Sequence, residues 1–222
     1  MAIKKSEIKF DANKKPVNTY LASPAGGGPG ILVLPSWWGL KPFFKQVCDQ
    51  LAERGYTALA PDYYGGRVAN TIEEAKALSG EAESEMDAMK AMIKAAKDHL
   101  VSLRPGKPIA IVGASMGTDW AIITAAKEPD VAATVLFYGG WSTDFSNMKS
   151  KVLEHYAETD EWFSLVQLHE MEQDMQAAGV DVTVQIYPGT AHWFIESDRP
   201  EYNPAASNLA WERTYEFLKK NL

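Results

Sequence analysis

A serine lies between two glycines in the segment GASMG at positions 113–117. The apolar run at 108–113 predicts a strand before it, and residues 116–127 have the spacing of a helix. A sharp strand-to-helix turn exposes a serine hydroxyl, and its flanking residues must be small because the serine backbone is strained there. The helix that follows offers free N–H groups to a developing anion. The segment therefore predicts a nucleophilic Ser115, with an ordinary tight turn as the alternative.

A serine nucleophile needs a base, usually a histidine that is oriented by a carboxylate. His192 is the best candidate because it follows the last predicted strand, in the loop segment YPGTAHWF at 187–194. A serine in a strand–turn–helix context is expected to come before the acid, and the acid before the histidine. The remaining histidines are predicted on a long helix, inside a strand and in the middle of a helix, where structural or solvent-exposed roles are expected: His99, His155 and His169.

The preferred acid is Asp160, which comes just after the strand predicted at 151–157. It would accept a hydrogen bond from one imidazole N–H and stabilise the charged ring that forms when His192 takes the serine proton. Asp144, which follows the preceding strand, is the alternative acid. Glu158 and Glu161 are interpreted as surface charges.

The predicted elements alternate between apolar strands and helices. Two short strands open the chain at 7–10 and 17–22, joined by DANKKP. Further strands are predicted at 31–35, 56–61, 108–113, 132–140, 151–157 and 182–188. Helices are predicted at 41–55, over a short segment that opens with the capping box TIEE at 71–74, after Gly80 to about Leu103, and at 116–127, 161–178 and 205–220. Such alternation predicts an α/β fold of one domain spanning 1–222, with a mainly parallel sheet covered by helices on both faces. Ligands of such sheets bind beyond the carboxyl ends of the strands.

A pair of tryptophans, Trp37 and Trp38, follows one of these strand ends in the segment LPSWWGL. Neighbouring residues of a strand point to opposite faces, so the two indoles cannot join the same core if the strand continues. Packing is one explanation, and a place in a ligand pocket is the other.

The composition limits the class of protein. The 222 residues are 46% hydrophobic with a net charge of -7, which disfavours binding to nucleic acid or an anionic membrane. The one cysteine, Cys48, allows no internal disulfide, and we expect a soluble, cytoplasmic monomer without signal peptide or membrane span. No cofactor or metal is predicted, because His169, Glu172 and Gln173 are better explained as a solvated helix face.

Several segments together resemble the dienelactone hydrolase (carboxymethylenebutenolidase-like) family of α/β hydrolases over nearly the whole chain. They are LPSWWGL, LAERGYTALAPDYY, GASMG, HYAETDEW and YPGTAHWF, followed by RPEYNPAASNLAWERTYEFL. The resemblance implies an α/β-hydrolase fold and a triad of Ser115, Asp160 and His192. It also implies that the backbone N–H groups of Met116 and Trp37 form the oxyanion hole.

Three positions depart from the family pattern. Typical members carry a cysteine where this chain has Ser115, and a glutamate that interacts with that thiol where it has Ser36. Members that act on dienelactone hold its carboxylate with arginines, one of them at the position of Glu196 and another in the segment 81–89, which has none here. An acid facing an anionic substrate would repel it, so an uncharged substrate is expected.

The expected function is that of a serine hydrolase, a carboxylesterase or lactonase acting on small, uncharged and partly apolar substrates through an acyl-enzyme. The candidate pocket residues are Ser36, Trp38, Tyr64, Trp162, Trp193 and Phe194, with Trp37 as a further possible wall. The alternatives are a thioesterase or peptidase with the same triad, and a non-catalytic binding module on the same fold.

Overall fold

The computed structural model describes residues 2–12 and 15–222, so positions 13 and 14 of the predicted DANKKP connection lie outside the described residues. The chain divides into two compact units, Met1–Ile109 and Ala110–Leu222. In the part of the chain that the structure describes, no helix is long and apolar enough to cross a membrane.

The first unit contains four strands, β1 (Ile3–Ala12), β2 (Lys15–Pro24), β3 (Gly30–Leu34) and β4 (Thr57–Pro61). Their order in the sheet is β1-β2-β4-β3. β1 and β2 are antiparallel, β2 pairs antiparallel with β4, and β3 and β4 are parallel, with Ile31 opposite Ala58. Every residue of β3 and β4 is buried, as their continuous apolar sequences predict. β1 and β2 extend beyond the predicted strands because their pairing continues through polar, exposed residues.

The helices of this unit are α1 (Pro42–Glu53), α2 (Ile72–Ser84) and α3 (Met86–Ser102). The predicted capping box is present, since Thr71 and Glu74 exchange side-chain to backbone hydrogen bonds at the start of α2. The predicted break at Gly80 is wrong. The helix continues through this glycine to Ser84, and its C-cap residue Glu85 takes a non-helical conformation (φ −110°, ψ 39°). A glycine among good helix formers costs only about 1 kcal/mol, too little to end a helix.

The second unit contains four strands, β5 (Ile109–Ala114), β6 (Val131–Phe137), β7 (Lys151–Thr159) and β8 (Val182–Ala191). Their order in the sheet is β5-β6-β7-β8. β6 pairs in parallel with β7, and β7 with β8. β7 and β8 both end later than predicted, because a bulge places residue 158 opposite residues 188–190 and restores pairing at Thr159 and Ala191. This irregular pairing brings residues 160 and 192 side by side.

The helices of the second unit are α4 (Met116–Ala125), α5 (Leu165–Ala177) and α6 (Pro204–Asn221). α5 begins later than predicted because Ser164 and Gln167 form a capping box there. The side chains of His155 and Tyr156, neighbours in β7, make contacts on opposite faces of the sheet. His155 Nε2 lies 2.9 Å from Thr214 Oγ1 of α6, whereas the Tyr156 hydroxyl donates to the carbonyl of Phe163, just before α5. The sheet of this unit is therefore parallel where its pairing is described and is covered on both faces, as predicted.

Candidate active site

Ser115 occupies the turn between β5 and α4 with φ 50° and ψ −123°. A positive φ is uncommon for a residue with a side chain and costs on the order of 1–3 kcal/mol of conformational free energy. The hydrogen bonds around the turn must offset this cost. The Ser115 N–H donates to the Phe137 carbonyl at 2.9 Å, and its own carbonyl accepts from the Thr118 N–H at 2.7 Å and from the Thr118 hydroxyl at 2.5 Å. These bonds hold the strained turn that the sequence predicts and leave the serine half-buried.

The glycines around this turn permit backbone contacts that no other residue allows. A Cβ atom on Gly113 would lie 2.5 Å from the Gly117 carbonyl oxygen. One on Gly139 would lie 2.6 Å from Thr118 Oγ1 and 3.0 Å from the Ser115 carbonyl oxygen. The serine turn is therefore packed against its own helix and against the end of β6.

Replacement of Gly113 by alanine is expected to lower the free energy of unfolding by about 1–3 kcal/mol, because the added methyl group overlaps backbone atoms that cannot move independently. Urea denaturation measures this change. Gly80→Ala is the control, since a Cβ atom there meets nothing within 4 Å. Equal stability of the Gly113 variant and the wild type would show that the turn is not tightly packed.

Three polar side chains of the second unit form a continuous hydrogen-bonded chain. His192 Nε2 lies 2.9 Å from Ser115 Oγ, and His192 Nδ1 lies 2.7 Å and 2.9 Å from the two carboxylate oxygens of Asp160. The Asp160 side chain is fully buried and that of His192 nearly so. Because a carboxylate only accepts, Nδ1 must carry the proton, which leaves Nε2 free to accept the serine proton.

Asp160 is held by the backbone as well as by the imidazole. Its Oδ1 accepts from the N–H groups of Trp162 at 2.8 Å and Phe163 at 2.9 Å. The carboxylate follows Thr159 directly, and Thr159 pairs with Ala191, the residue before His192. Strand pairing and the turn after β7 together fix the geometry of acid and ring.

The alternative acids have other partners. Asp144 is exposed, and its carboxylate accepts from the Ser146 N–H at 2.9 Å, a contact with Ser146 that lowers the Asp144 pKa. Glu158 accepts from the Gly189 N–H at 2.8 Å, and Glu161 is exposed. Of Asp144, Glu158, Asp160 and Glu161, it is Asp160 whose carboxylate is hydrogen-bonded to His192.

The other histidines have the surroundings expected for structural or solvated residues. His155 is fully buried between the Tyr187 hydroxyl (2.7 Å) and Thr214. Burial, with a smaller effect of the Arg213 charge, lowers its pKa to about 3, so the ring stays neutral. His169 is exposed on α5, and the His99 ring stacks on a phenylalanine.

The thiol of Cys48 is buried, which raises its pKa and suppresses its reactivity.

A cavity of about 320 Å³ lies over the serine. Part of its wall is aromatic, and two tryptophans of the lining, Trp141 and Trp162, remain 47% and 42% exposed. The lining comprises Ser115, Met116, Asp119, Tyr138, Gly139, Gly140, Trp141, Trp162, Phe163, Gln167 and His192. Trp162 was among the predicted pocket residues, whereas Trp141 was missed. Its position directly after Gly139 and Gly140, at the carboxyl end of a predicted strand, was the signal that could have identified it.

Two other predicted pocket residues of this unit are buried against other side chains. The Trp193 ring meets the edge of His192 at 4.8 Å and faces the Arg199 guanidinium at 5.0 Å. Phe194 is fully buried against Tyr138 and Tyr187. Among the described residues of 110–222, the lining of the cavity over Ser115 includes neither.

Of the predicted residues of the first unit, Ser36, Trp37 and Trp38 follow β3 and Tyr64 follows β4. Trp38 is fully buried and Trp37 only partly, and their rings meet edge to face at 5.6 Å. Ser36 is also fully buried, and the Tyr64 hydroxyl donates to the Trp37 carbonyl at 3.2 Å. The two adjacent indoles thus differ in burial, as expected where a strand ends between core and surface.

Comparisons with known proteins agree with the resemblance seen in the sequence. The model of the "Dienelactone hydrolase family" matches residues 17–222. The chain is 34% identical to "Protein usf" of Aquifex pyrophilus over 97% of this chain and 98% of that protein. It is 32% identical to the "Putative carboxymethylenebutenolidase" of Aquifex aeolicus (strain VF5), over 97% and 98% respectively. The solved structure of "m3DLH" has the same fold, with a TM-score of 0.90, 23% identity and full coverage of both chains.

Proposed function

The chain belongs to the dienelactone hydrolase family of α/β hydrolases, and on this basis we propose that it hydrolyses ester or lactone bonds of small uncharged substrates with Ser115 as nucleophile. One observation carries the proposal: a serine on a strained turn lies 2.9 Å from a histidine whose other nitrogen is bound to a buried carboxylate. Hydroxyl, ring and acid then have the relative positions that nucleophilic acyl transfer requires.

The reaction has two halves. His192 Nε2 removes the hydroxyl proton while Ser115 Oγ attacks the substrate carbonyl carbon, and the carbonyl oxygen becomes an oxyanion. The C–O bond to the leaving group then breaks, His192 returns the proton to the leaving alkoxide, and an acyl-serine ester remains. Water, deprotonated by His192, attacks that ester, and Ser115 leaves with the proton. Asp160 stabilises the imidazolium in both halves.

The backbone N–H of Met116 is proposed to hold the oxyanion. Met116 is the first residue of α4, and N–H groups at the start of a helix stabilise an anion. The family resemblance implies a second donor, the N–H of Trp37. Loss of one such donor would slow acyl transfer about 100- to 1000-fold.

The cavity over Ser115 supports an uncharged, partly apolar acyl group. Two tryptophans and Phe163 supply apolar walls, and a volume of about 320 Å³ suits a small ring or short chain. Among the described lining residues, Asp119 is the one acidic side chain and there is no lysine or arginine. A substrate carboxylate would therefore meet repulsion and no cationic partner.

Substitution of Asp119 by asparagine is expected to raise kcat/KM for an acyl ester that carries a carboxylate about 3- to 10-fold relative to its uncharged isostere, because one like charge is removed nearby. Paired 4-nitrophenyl esters measure this ratio. Asp144→Asn, which removes an exposed charge outside the lining, is the matched control. An unchanged ratio in the Asp119 variant would show that this carboxylate does not influence substrate choice.

A panel of neutral esters, lactones, thioesters and peptides tests the proposed function. The expected result is turnover of neutral esters or lactones at a higher kcat/KM than of thioesters or peptides. A preference for thioesters or peptides would move the assignment to those classes. The absence of turnover across the whole panel would support a binding module on the same fold.

A further inference from the structure

Tyr138 is a buried residue of unusual backbone conformation beside the candidate active site. It follows β6 with φ 45°, in the left-handed region that favours glycine, and its side chain is fully buried. Its N–H donates to the His155 carbonyl of β7 at 2.9 Å, and the preceding Phe137 carbonyl accepts from the Ser115 N–H. The backbone at Tyr138 is thus fixed both to the sheet and to the serine turn.

The side chain of Tyr138 reaches the loop that carries His192. Its ring centroid lies 4.9 Å from that of His192 and 5.6 Å from that of Phe194. Its hydroxyl donates a 2.9 Å hydrogen bond to Oε1 of Glu196, whose side chain is fully buried. Burial and the adjacent Glu196 charge raise the pKa of Tyr138, so the hydroxyl remains a donor at working pH.

Glu196 belongs to a series of turns that starts at His192. The Glu196 N–H donates to the Trp193 carbonyl at 2.9 Å, and its own carbonyl accepts from the Arg199 N–H at 3.0 Å. Trp193 itself has φ 68°, a second strained residue next to the histidine. A buried side-chain bond in the middle of such a loop restricts where the loop can place its first residue.

These contacts assign Glu196 a different role from the one that the sequence suggested. The sequence suggested that Glu196 would face and repel an anionic substrate. The structure instead buries it against Tyr138, and among the described lining residues of the cavity over Ser115 it is not found. The Glu196 carboxylate accepts the hydrogen bond from Tyr138 and so holds the loop that follows His192.

We propose that Tyr138 and Glu196 are positioning residues that hold His192 in register with Ser115 and Asp160. The inference rests on the proposed function, because it assigns the pair a role in that reaction. The Tyr138 ring fixes one side of the imidazole, and the Tyr138–Glu196 hydrogen bond anchors the loop four residues further on. Tyr138→Phe removes the hydroxyl but keeps the ring, so the loop loses its anchor while the cavity wall is kept.

The expected result for Tyr138→Phe is a kcat about 10- to 100-fold lower on a neutral 4-nitrophenyl ester, since displacement of a catalytic group by about 1 Å has effects of that size. KM is expected to stay within about threefold, because the substrate walls are unchanged. Glu196→Gln keeps a carbonyl acceptor for the tyrosine and should retain kcat within about threefold, whereas Glu196→Leu should lose as much as Tyr138→Phe.

Tyr187→Phe is the matched control, because it also removes a buried hydroxyl, one bound to His155. It should leave kcat unchanged. Unchanged kcat in folded Tyr138→Phe, or an equal loss in Tyr187→Phe, would overturn the proposal. If Tyr138→Phe does not fold, the two Glu196 variants test the proposal. Equal kcat values for Glu196→Gln and Glu196→Leu would overturn the proposal, and a loss of kcat confined to Glu196→Leu would support it. A wild-type chain that hydrolyses no ester would overturn this proposal together with the function on which it rests.

Discussion

Replacement of Ser115 by alanine is expected to lower kcat for small activated esters by at least about 10,000-fold, because no covalent acyl intermediate can form. Two other nucleophilic side chains of the protein cannot take over the attack. The sole cysteine is buried with a raised thiol pKa, and the Thr118 hydroxyl is bound to the Ser115 carbonyl. Steady-state hydrolysis of a 4-nitrophenyl ester measures the effect.

Thermal unfolding provides the control for this variant. The Ser115 side chain is half-buried, and its hydroxyl is hydrogen-bonded to His192, so its loss should change the unfolding temperature little. A folded alanine variant with wild-type kcat would show that the nucleophile lies elsewhere.

Replacement of Asp160 by asparagine is expected to lower kcat by about 10,000-fold through the tautomer of His192. Two backbone N–H groups, of Trp162 and Phe163, point at Oδ1 and would keep the amide oxygen there. The amide nitrogen must then take the place of Oδ2, which lies 2.7 Å from His192 Nδ1. Because that nitrogen donates at the shorter of the two contacts, the tautomer in which Nδ1 accepts is favoured over the one that keeps the 2.9 Å contact between Nδ1–H and the amide oxygen. In the favoured tautomer the ring proton lies on Nε2, facing Ser115, and the ring cannot remove the serine proton.

Asp144→Asn is the matched control for the acid, because Asp144 is the rival that the sequence offers. Its partner is the backbone of Ser146, so it should retain wild-type kcat and KM. Loss of activity in Asp144→Asn, together with full activity in Asp160→Asn, would reverse the assignment of the acid.

The features that could be predicted from the sequence are those with local causes. The serine turn follows from a local sequence pattern, a strand followed by small residues and then a helix. The strands β3, β4 and β5 are continuous apolar runs, which predicts that they are buried. The capping box at Thr71 is likewise a four-residue pattern. Asp160 and His192 were chosen as candidates because each follows a predicted strand, and ligands of such sheets bind beyond the carboxyl ends of the strands.

The features that were missed depend on contacts between distant segments. The bulge that restores the pairing of Thr159 with Ala191 comes from the match of two strands, which neither sequence shows alone. The turn of Glu196 toward Tyr138 joins residues 58 positions apart. At Gly80 the local signal was misleading, since the cost of a helical glycine is small beside the packing of the helix around it.

Covalent labelling with a fluorophosphonate probe tests the central claim most directly, because the probe forms a Ser–O–P bond with release of fluoride only at an activated serine. The account predicts one label per chain, located on Ser115 by peptide mass spectrometry, absent from Ser115→Ala and formed much more slowly in Asp160→Asn. A label on another residue, or an unlabelled wild-type chain that still hydrolyses esters, would contradict it.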